Sequence, residues 1–411
     1  MYIFSLQLQA LTVWHGSRYI SRTGLVNLFT CFCLAGSTAG ITRSPSTLIA
    51  HKLSGNNPIG LSKPLTLRWK YASEFTVGLT PTVAQERVYL PLGFGTILCL
   101  GVVDGALQWK SETGGEISAS PVADEHGVYI ASSTNDASAA FTGNAGGALR
   151  AMGREGGVTL WMRTLTAPVQ GALTATQTTI FGGARDGKIY SIQKSTGEIV
   201  WAKQFPAAFD SSPLVAESRL YIGSEDGSLF AVDQTTGTTL WRYRTHGAIR
   251  GKPVLVDGLL FFGSLDGYVY ALRATDGRLR WRTRTGAGVQ SLIGTSTGLL
   301  APSLDNFVYM LSFARGNRVW KHQLTGRLTA PPLAANDGAL FTPLTGEAGV
   351  VLDLRDGRQL NTLPLGADSA TAAAPVIAGE LLLLTTRHGL LAFSHPLSPA
   401  AADASGANTS K

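Results

Sequence analysis

The sequence predicts an all-β protein, an eight-bladed β-propeller whose blades are four-stranded antiparallel sheets. Three observations lead to this prediction. A tryptophan recurs at nearly constant spacing, each interval contains four short strand patterns, and turn residues separate those patterns. The composition agrees, since 48 of the 411 residues are glycine and only 15% are charged. Such a composition is typical of short strands joined by tight turns.

The repeat covers residues 65–395 and is marked by a tryptophan near the end of each copy. These are Trp69, Trp109, Trp161, Trp201, Trp241, Trp281 and Trp320, spaced 40, 52, 40, 40, 40 and 39 residues apart. One more period reaches Leu360, where GRQL replaces the usual ending. We expect each indole to pack between adjacent blades and to supply one N–H donor. The tryptophans are therefore interpreted as structural.

The clearest copy ends at Trp241 and shows how one period becomes one blade. A short inner strand, PLVA, precedes an apolar strand at Arg219–Gly223. A third strand, Ser228–Asp233, and an outer strand, Thr238–Arg244, complete the sheet. Asp-Gly pairs are strong hairpin signals. We therefore assign Asp186, Asp226 and Asp266 to the turns between second and third strands.

The ends of the repeat predict how the ring closes. Inner strands begin near Pro81, Pro121, Gly171, Pro213, Pro253, Ser291, Pro332 and Pro375, which gives eight units. The eighth unit has no outer strand before Pro396, whereas Leu65–Tyr71 is an outer strand without a blade before it. Pairing these two removes both free sheet edges. We expect the N-terminal strand to complete the last blade.

The termini flank the propeller with segments of other kinds. Arg18 and Arg22 precede an apolar run at Gly24–Ala35, followed by small residues, which is the order of a secretory signal. We assign residues 1–39 to a signal or targeting segment, 40–64 to a linker and 396–411 to a disordered tail. The expected location is the periplasm or the periplasmic face of the outer membrane. Whether Cys31 or Cys33 carries a lipid anchor, and where translation starts, stay open.

The copy at Leu220–Trp241, LYIGSEDGSLFAVDQTTGTTLW, resembles the pyrroloquinoline quinone (PQQ) repeat family nearly position for position. The resemblance covers residues 65–395 and implies the propeller fold. One branch of the family, the quinoprotein dehydrogenases, holds PQQ and calcium in the central channel and has a pair of adjacent cysteines near the quinone. The other branch is the BamB type, whose members are lipoproteins that act as scaffolds for inserting β-barrels into the outer membrane. The compact blades and the lack of adjacent cysteines resemble the scaffold branch.

The resemblance thus implies a non-catalytic scaffold in the cell envelope that needs no cofactor. The alternative is a PQQ-dependent oxidoreductase, or a degenerate relative that binds a ligand. From the residues themselves we assign no catalytic, cofactor-binding or metal-binding site, because the seven histidines are scattered without an HExxH pair. Cys99, in an alternating strand pattern, is interpreted as a small buried hydrophobe. The net charge of +7 comes without a basic run interleaved with aromatics, so no nucleic-acid partner is expected.

A candidate partner-binding face follows from propeller geometry. Hairpins between second and third strands share a face with the links that join consecutive blades. This face is expected to present Phe209, Asp210, Asp226, Arg250 and Asp266, together with a glycine-rich insertion at Ser132–Gly147. The insertion is either a partner-contact loop or a tolerated insertion. By resemblance, the partner would be the periplasmic domains of a β-barrel assembly protein, and we expect the chain by itself to be a monomer.

Arginines also line two predicted outer strands. Strand alternation places Arg278, Arg280, Arg282 and Arg284 on one side of the outer strand of blade 5, opposite Trp281. Arg242 and Arg244 repeat the pattern on blade 4. Two interpretations stay open: a solvated edge that discourages strand pairing, and contact with an acidic partner or anionic lipid. The second would give peripheral membrane association.

Overall fold

The computed structural model describes residues 59–75, 78–133, 146–344, 348–365 and 371–396, all within the second of two compact units, Ser46–Lys411. The described residues form eight four-stranded antiparallel sheets in a ring and no helix. The predicted all-β, eight-bladed propeller is confirmed. The predicted signal segment, nearly all of the predicted tail and residues 134–145 of the insertion lie outside the described residues. Among the described residues no helix could span a membrane.

The first strand along the chain is β1 (Thr66–Ala72), and blades 1 to 4 follow it. Blade 1 contains β2 (Thr82–Ala84), β3 (Arg87–Leu92), β4 (Thr96–Gly101) and β5 (Leu107–Glu112). Blade 2 contains β6 (Val122–Ala123), β7 (Val128–Ser133), β8 (Gly147–Met152) and β9 (Thr159–Leu165). Blade 3 contains β10 (Thr174–Ala175), β11 (Thr179–Gly183), β12 (Lys188–Gln193) and β13 (Ile199–Gln204). Blade 4 contains β14 (Leu214–Ala216), β15 (Arg219–Gly223), β16 (Ser228–Asp233) and β17 (Thr239–Arg244).

Blades 5 to 8 repeat this order, and the eighth takes its outer strand from the start of the propeller. Blade 5 contains β18 (Val254–Val256), β19 (Leu259–Gly263), β20 (Tyr268–Arg273) and β21 (Leu279–Arg284). Blade 6 contains β22 (Ile293–Gly294), β23 (Leu299–Pro302), β24 (Phe307–Leu311) and β25 (Arg318–Gln323). Blade 7 contains β26 (Leu333–Ala335), β27 (Gly338–Phe341), β28 (Ala348–Leu352) and β29 (Gln359–Pro364). Blade 8 contains β30 (Val376–Ala378), β31 (Leu381–Thr386), β32 (Gly389–Ser394) and β1.

Strand β1 closes the ring as predicted. It pairs antiparallel with β32, with Trp69 opposite Ala392 and Tyr71 opposite Leu390. At the inner end of the blades, β2 of blade 1 contacts both β6 of blade 2 and β30 of blade 8. The first and last blades therefore meet like any other neighbours, and no blade is left with an open edge at the junction.

Each tryptophan connects its own blade to the next one. All seven donate the indole N–H to a backbone carbonyl in the turn between the third and fourth strands of the following blade, at 2.7–3.1 Å. In the same turn, a glycine with φ between 66° and 74° lies against the ring. A Cβ at any of these glycines would approach the ring atoms to 2.4–2.7 Å. Only glycine fits there, and the predicted packing between blades is confirmed.

Blade 7 lacks this tryptophan, and the N-terminal segment takes its place. In the sheet register Asn361 stands where the other blades have tryptophan. Its side-chain amide donates to the carbonyls of Leu61 and Lys63, at 3.3 and 2.8 Å. The Asp337 carboxylate accepts from the backbone N–H groups of Leu61 and Ser62, both at 3.0 Å. The segment is thereby fixed across the junction of blades 7 and 8.

The boundary of the predicted linker, residues 40–64, is therefore wrong at its C-terminal end. Ile59 and Leu61 are buried in an apolar cluster with Leu340, Leu363 and Phe393. Their burial replaces part of the apolar area that a tryptophan supplies at the other junctions. Residues 59–64 belong to the propeller.

Truncation from the N-terminus should separate these contributions. A chain that starts at Leu65 loses residues 59–64, which pack at the junction of blades 7 and 8. A chain that starts at Ser73 also loses β1. We expect the denaturation midpoint to fall for the first and to fall much further for the second, relative to a chain that starts at Ile59. Chemical denaturation followed by tryptophan fluorescence measures this. Equal midpoints for the chains starting at Ile59 and Ser73 would contradict closure by β1.

Candidate docking face on the blade links

The hairpins between second and third strands lie beside the links that join consecutive blades. In blade 4 the N–H of Glu225 donates to the carbonyl of Ala208 in the preceding link, at 2.9 Å. In blade 5 the N–H of Leu265 donates to the carbonyl of Ala248, also at 2.9 Å. We call the surface formed by these hairpins and links the link face. The other hairpins of each blade, such as the turn at Gln234, form the opposite face.

The prediction that Phe209 is exposed on this face is wrong. Its side chain is fully buried and packs edge-on against Phe205 and Phe230, with ring centroids 5.7 and 6.1 Å apart. The backbone explains why, because the N–H of Phe209 donates to the carbonyl of Ala184 in blade 3. Ile249 and Val289 make the corresponding bond in the next two links and are equally buried. The apolar residues at 209, 249 and 289, spaced by 40, were the sequence signal of a core position.

Asp226 and Asp266 lie on the link face, where their carboxylates stabilise the hairpins. Asp226 accepts from the Ser228 N–H at 3.0 Å and forms an ion pair with Arg242 at 2.8 Å. Partial burial raises the pKa of Asp226, but hydrogen bonds from Ser224 and Ser228 and the charge of Arg242 lower it below its usual value. Asp266 accepts from the Tyr270 hydroxyl at 2.7 Å and from the Tyr268 N–H at 3.1 Å. Both carboxylates therefore act in turn chemistry, as the Asp-Gly pattern indicated.

Several charged side chains surround Asp210 in the link between blades 3 and 4. Arg250 forms a two-bond ion pair with Glu225, at 2.9 and 2.8 Å. Burial raises the pKa of Asp210, and the nearby Glu225 raises it further, against the opposing charges of Arg185 and Arg250. One oxygen of Asp210 is buried without a hydrogen-bond partner in the described structure. The structure thus brings together the predicted Asp210 and Arg250 and adds two residues, Arg185 and Glu225, that sequence reasoning missed.

An exposed aromatic pair also lies on the link face, in blade 1. Phe94 is 73% exposed in the hairpin between β3 and β4, and Phe75 is 50% exposed in the link that follows β1. The rings meet edge to face with centroids 5.1 Å apart. Phe94 has φ 58°, a conformation that a bulky side chain seldom adopts. Exposed aromatics held in a strained turn fit a contact surface. Sequence reasoning missed both residues, although the hairpin sequence PLGFGT signalled an aromatic at a turn.

The outer margin of the link face carries a shallow depression. It has a volume of about 450 Å³ and is lined by Asp226, Arg244, Thr245 and His246. The N–H of His246 donates to Asp266 of the next blade at 3.1 Å, so this margin lies between blades 4 and 5. The depression is polar and open, and its lining contains no nucleophile paired with a base.

Cofactor chemistry has little support in the described residues. PQQ needs a stacking surface and its calcium ion needs oxygen ligands. The eight innermost strands carry neither a carboxylate nor an aromatic ring. Cys99, the free cysteine of the described chain, is buried in the core of blade 1. The side chains of the innermost strands therefore do not fit a quinone with calcium.

One cluster of possible metal ligands is found among the described residues, on the opposite face. It contains Asp124, Glu125 and His126 in the hairpin between β6 and β7. Asp124 is already paired with the ammonium group of Lys194, whose side chain is buried. Burial raises the pKa of Asp124, but the hydrogen bond from Lys194 leads the contacts that bring it below its usual value. A lysine occupies the position that a cation would need, so we interpret this contact as a link between blades 2 and 3.

These features define a class: a PQQ-repeat propeller with compact blades and a charged and aromatic link face. The sequence model of one family, described as outer membrane protein assembly factor BamB, matches residues 65–148, 145–252 and 244–397. The chain belongs to this family. No protein in the curated collection of characterised sequences matches it significantly.

Solved structures show the same fold at low sequence identity. BamB from Moraxella catarrhalis is 17% identical with a TM-score of 0.67, and the match covers 82% of this chain and 100% of that one. The computationally designed protein Ika8 is 14% identical, with a TM-score of 0.67 and coverage of 80% and 99%. Quinohemoprotein alcohol dehydrogenase from Comamonas testosteroni is 12% identical, with a TM-score of 0.65 and coverage of 80% and 76%. These similarities concern the fold, which different activities share.

Proposed function

We propose that this protein is a non-catalytic scaffold of the cell envelope that acts in outer-membrane protein assembly. The observation that carries the proposal is the family match. It covers the whole propeller, and the family is described as an outer membrane protein assembly factor. The proposed location is the periplasm or the periplasmic face of the outer membrane, in keeping with the signal predicted from residues 1–39. The proposed partner is the periplasmic part of a β-barrel assembly protein.

The link face supports this role because it combines the contacts that hold an interface together. Phe75 and Phe94 offer exposed aromatic area, and Asp210 and Arg250 offer charged groups in the links on either side of blade 4. Aromatic residues and arginine dominate the binding energy of most protein interfaces. Arg250 is 43% exposed, so its guanidinium group can reach a docked chain while it stays paired with Glu225. The propeller would hold these groups in fixed relative positions, which lowers the entropic cost of docking.

Substitutions on the link face should weaken binding without unfolding the protein. We expect Phe94→Ala to reduce affinity for the periplasmic domains of the cognate β-barrel assembly protein by about 10-fold or more, as loss of an aromatic anchor does. Arg250→Ala should reduce it in the same direction, because it removes an arginine from the proposed contact. Isothermal titration calorimetry with the purified domains measures both effects.

The opposite face provides matched controls for these variants. Val103→Ala removes an apolar side chain that is 79% exposed in the turn after β4, and Arg355→Ala removes an exposed arginine from a turn of blade 7. Neither control should change the affinity. If the link-face variants keep wild-type affinity, or if the controls weaken binding equally, the link face is not the docking surface.

Oxidoreductase activity is the alternative, because quinohemoprotein alcohol dehydrogenases share the fold. We expect no quinone-dependent turnover, since the innermost strands offer no carboxylate for calcium and no ring to stack on the quinone. The measurement is dye reduction with simple alcohols after addition of PQQ and calcium, with a known quinoprotein dehydrogenase as positive control. Turnover above the rate without protein would place the chain among the enzymes.

A further inference from the structure

The outer strands share a backbone irregularity that decides which side chains face outward. In each of the eight blades, a β-bulge shifts the register of the outer strand just before the tryptophan position. In blade 5 the bulge lies at Arg280, so that both Leu279 and Arg280 are exposed. Arg282 and Arg284 then follow on the outward side by strand alternation. Each blade thus has four outward positions, which we call its rim positions.

The rim positions differ in charge around the ring. On blades 4 to 6 they carry seven basic side chains and no acidic one: Arg242, Arg244, Arg280, Arg282, Arg284, Arg318 and Lys321. We call these seven residues the basic rim. On blades 2 and 3 the rim positions carry no charge: Thr159, Leu160, Met162, Thr164, Ile199, Val200, Ala202 and Gln204. Blade 8 carries Arg68 and Lys70 at these positions, blade 1 carries Lys110 with Glu112, and blade 7 carries no charge, so the positive charge is greatest on the side of blades 4 to 6.

Little within the described structure neutralises the basic rim. Arg242 is paired with Asp226, and among the described residues no carboxylate lies within ion-pair distance of the other six. Arg282 and Lys321 lie over the rings of Tyr268 and Phe307, at 5.1 and 4.5 Å from the ring centroids. These contacts direct the side chains but leave their charge uncompensated. Six unpaired cations on neighbouring outer strands produce a positive potential over this side.

Exposed aliphatic side chains are interspersed among these cations. Leu240, Leu279 and Val319 occupy rim positions of blades 4, 5 and 6 and are exposed. Exposed aliphatic side chains occupy rim positions of the other blades as well, so it is their combination with these cations that suits the boundary between phosphate groups and acyl chains. The charge also extends over three blades, which fits a plane of repeated phosphates better than a single acidic epitope.

We propose that the basic rim binds the surface of a membrane that contains anionic phospholipids. The propeller then stands with the side of blades 4 to 6 against the bilayer. The link face and the opposite face both stay accessible in this orientation, so that lipid and a docked protein can be bound together. The basic rim adjoins the link face at Arg242 and Arg244 but lies on the outer strands, and the test of the proposal needs no partner protein.

Vesicle co-sedimentation of the full chain tests the proposal. We expect binding to vesicles of phosphatidylglycerol and phosphatidylethanolamine, and at least about 10-fold weaker binding to phosphatidylcholine vesicles. The variant Arg280→Gln, Arg282→Gln, Arg284→Gln should lose about 10-fold in affinity for the anionic vesicles. Raising NaCl from about 50 mM to about 500 mM should release the wild type, because salt screens surface charges.

A control variant carries the same loss of charge elsewhere. Lys70→Gln, Lys110→Gln, Lys203→Gln removes three exposed cations from blades 8, 1 and 3 and should bind like the wild type. Equal binding of wild type and arginine variant to anionic vesicles overturns the proposal, as does absence of binding or equal binding to both lipid compositions. If polyglutamate binds the basic rim and displaces the vesicles at equal charge concentration, the surface recognises acidic polypeptides and the membrane assignment is wrong.

Discussion

The contact on which the structure depends is the one between a tryptophan of one blade and a glycine turn of the next. The ring lies against a glycine, and the indole N–H donates to a carbonyl of the same turn. The contact therefore buries the apolar area of the ring and gives its N–H group a hydrogen-bond partner. The contact recurs at seven of the eight junctions. A substitution of either residue affects the packing of two blades, since the turn and the outer strand belong to different sheets.

The eighth junction shows what the fold needs when the tryptophan is missing. Asn361 and Asp337 bind the backbone of the segment that begins at Ile59, and its apolar side chains fill the space between blades 7 and 8. Two contacts therefore close the ring: the pairing of β1 with β32, and the packing of this segment between blades 7 and 8. A ring closed in this way holds its surfaces in fixed relation. The proposed roles of the link face and of the basic rim both depend on that rigidity.

The repeat made most of the fold predictable, because a 40-residue period with tryptophan and Asp-Gly signals specifies strands, turns and blade count together. The exposure of side chains in the links was harder to predict from the sequence. Phe209 was assigned to the surface because its neighbours are loop residues, but the link folds inward over the core between blades 3 and 4. The exposed Phe94 and the ion pair of Arg250 with Glu225 depend on which hairpins meet, which no local pattern specifies. The buried Ile59 has no repeat partner in the sequence that could have marked it.

The most direct test of the account is the stability of Trp201→Ala. Trp201 is 8% exposed, donates to the Gln234 carbonyl at 3.0 Å and lies against Gly237. Val200→Ala, in the adjacent residue, is the control, because Val200 is 52% exposed. In chemical denaturation we expect Trp201→Ala to lose about 3–5 kcal/mol and the control to stay within about 0.5 kcal/mol of wild type. Equal midpoints for the two variants would contradict the claim that the tryptophan contact holds neighbouring blades together.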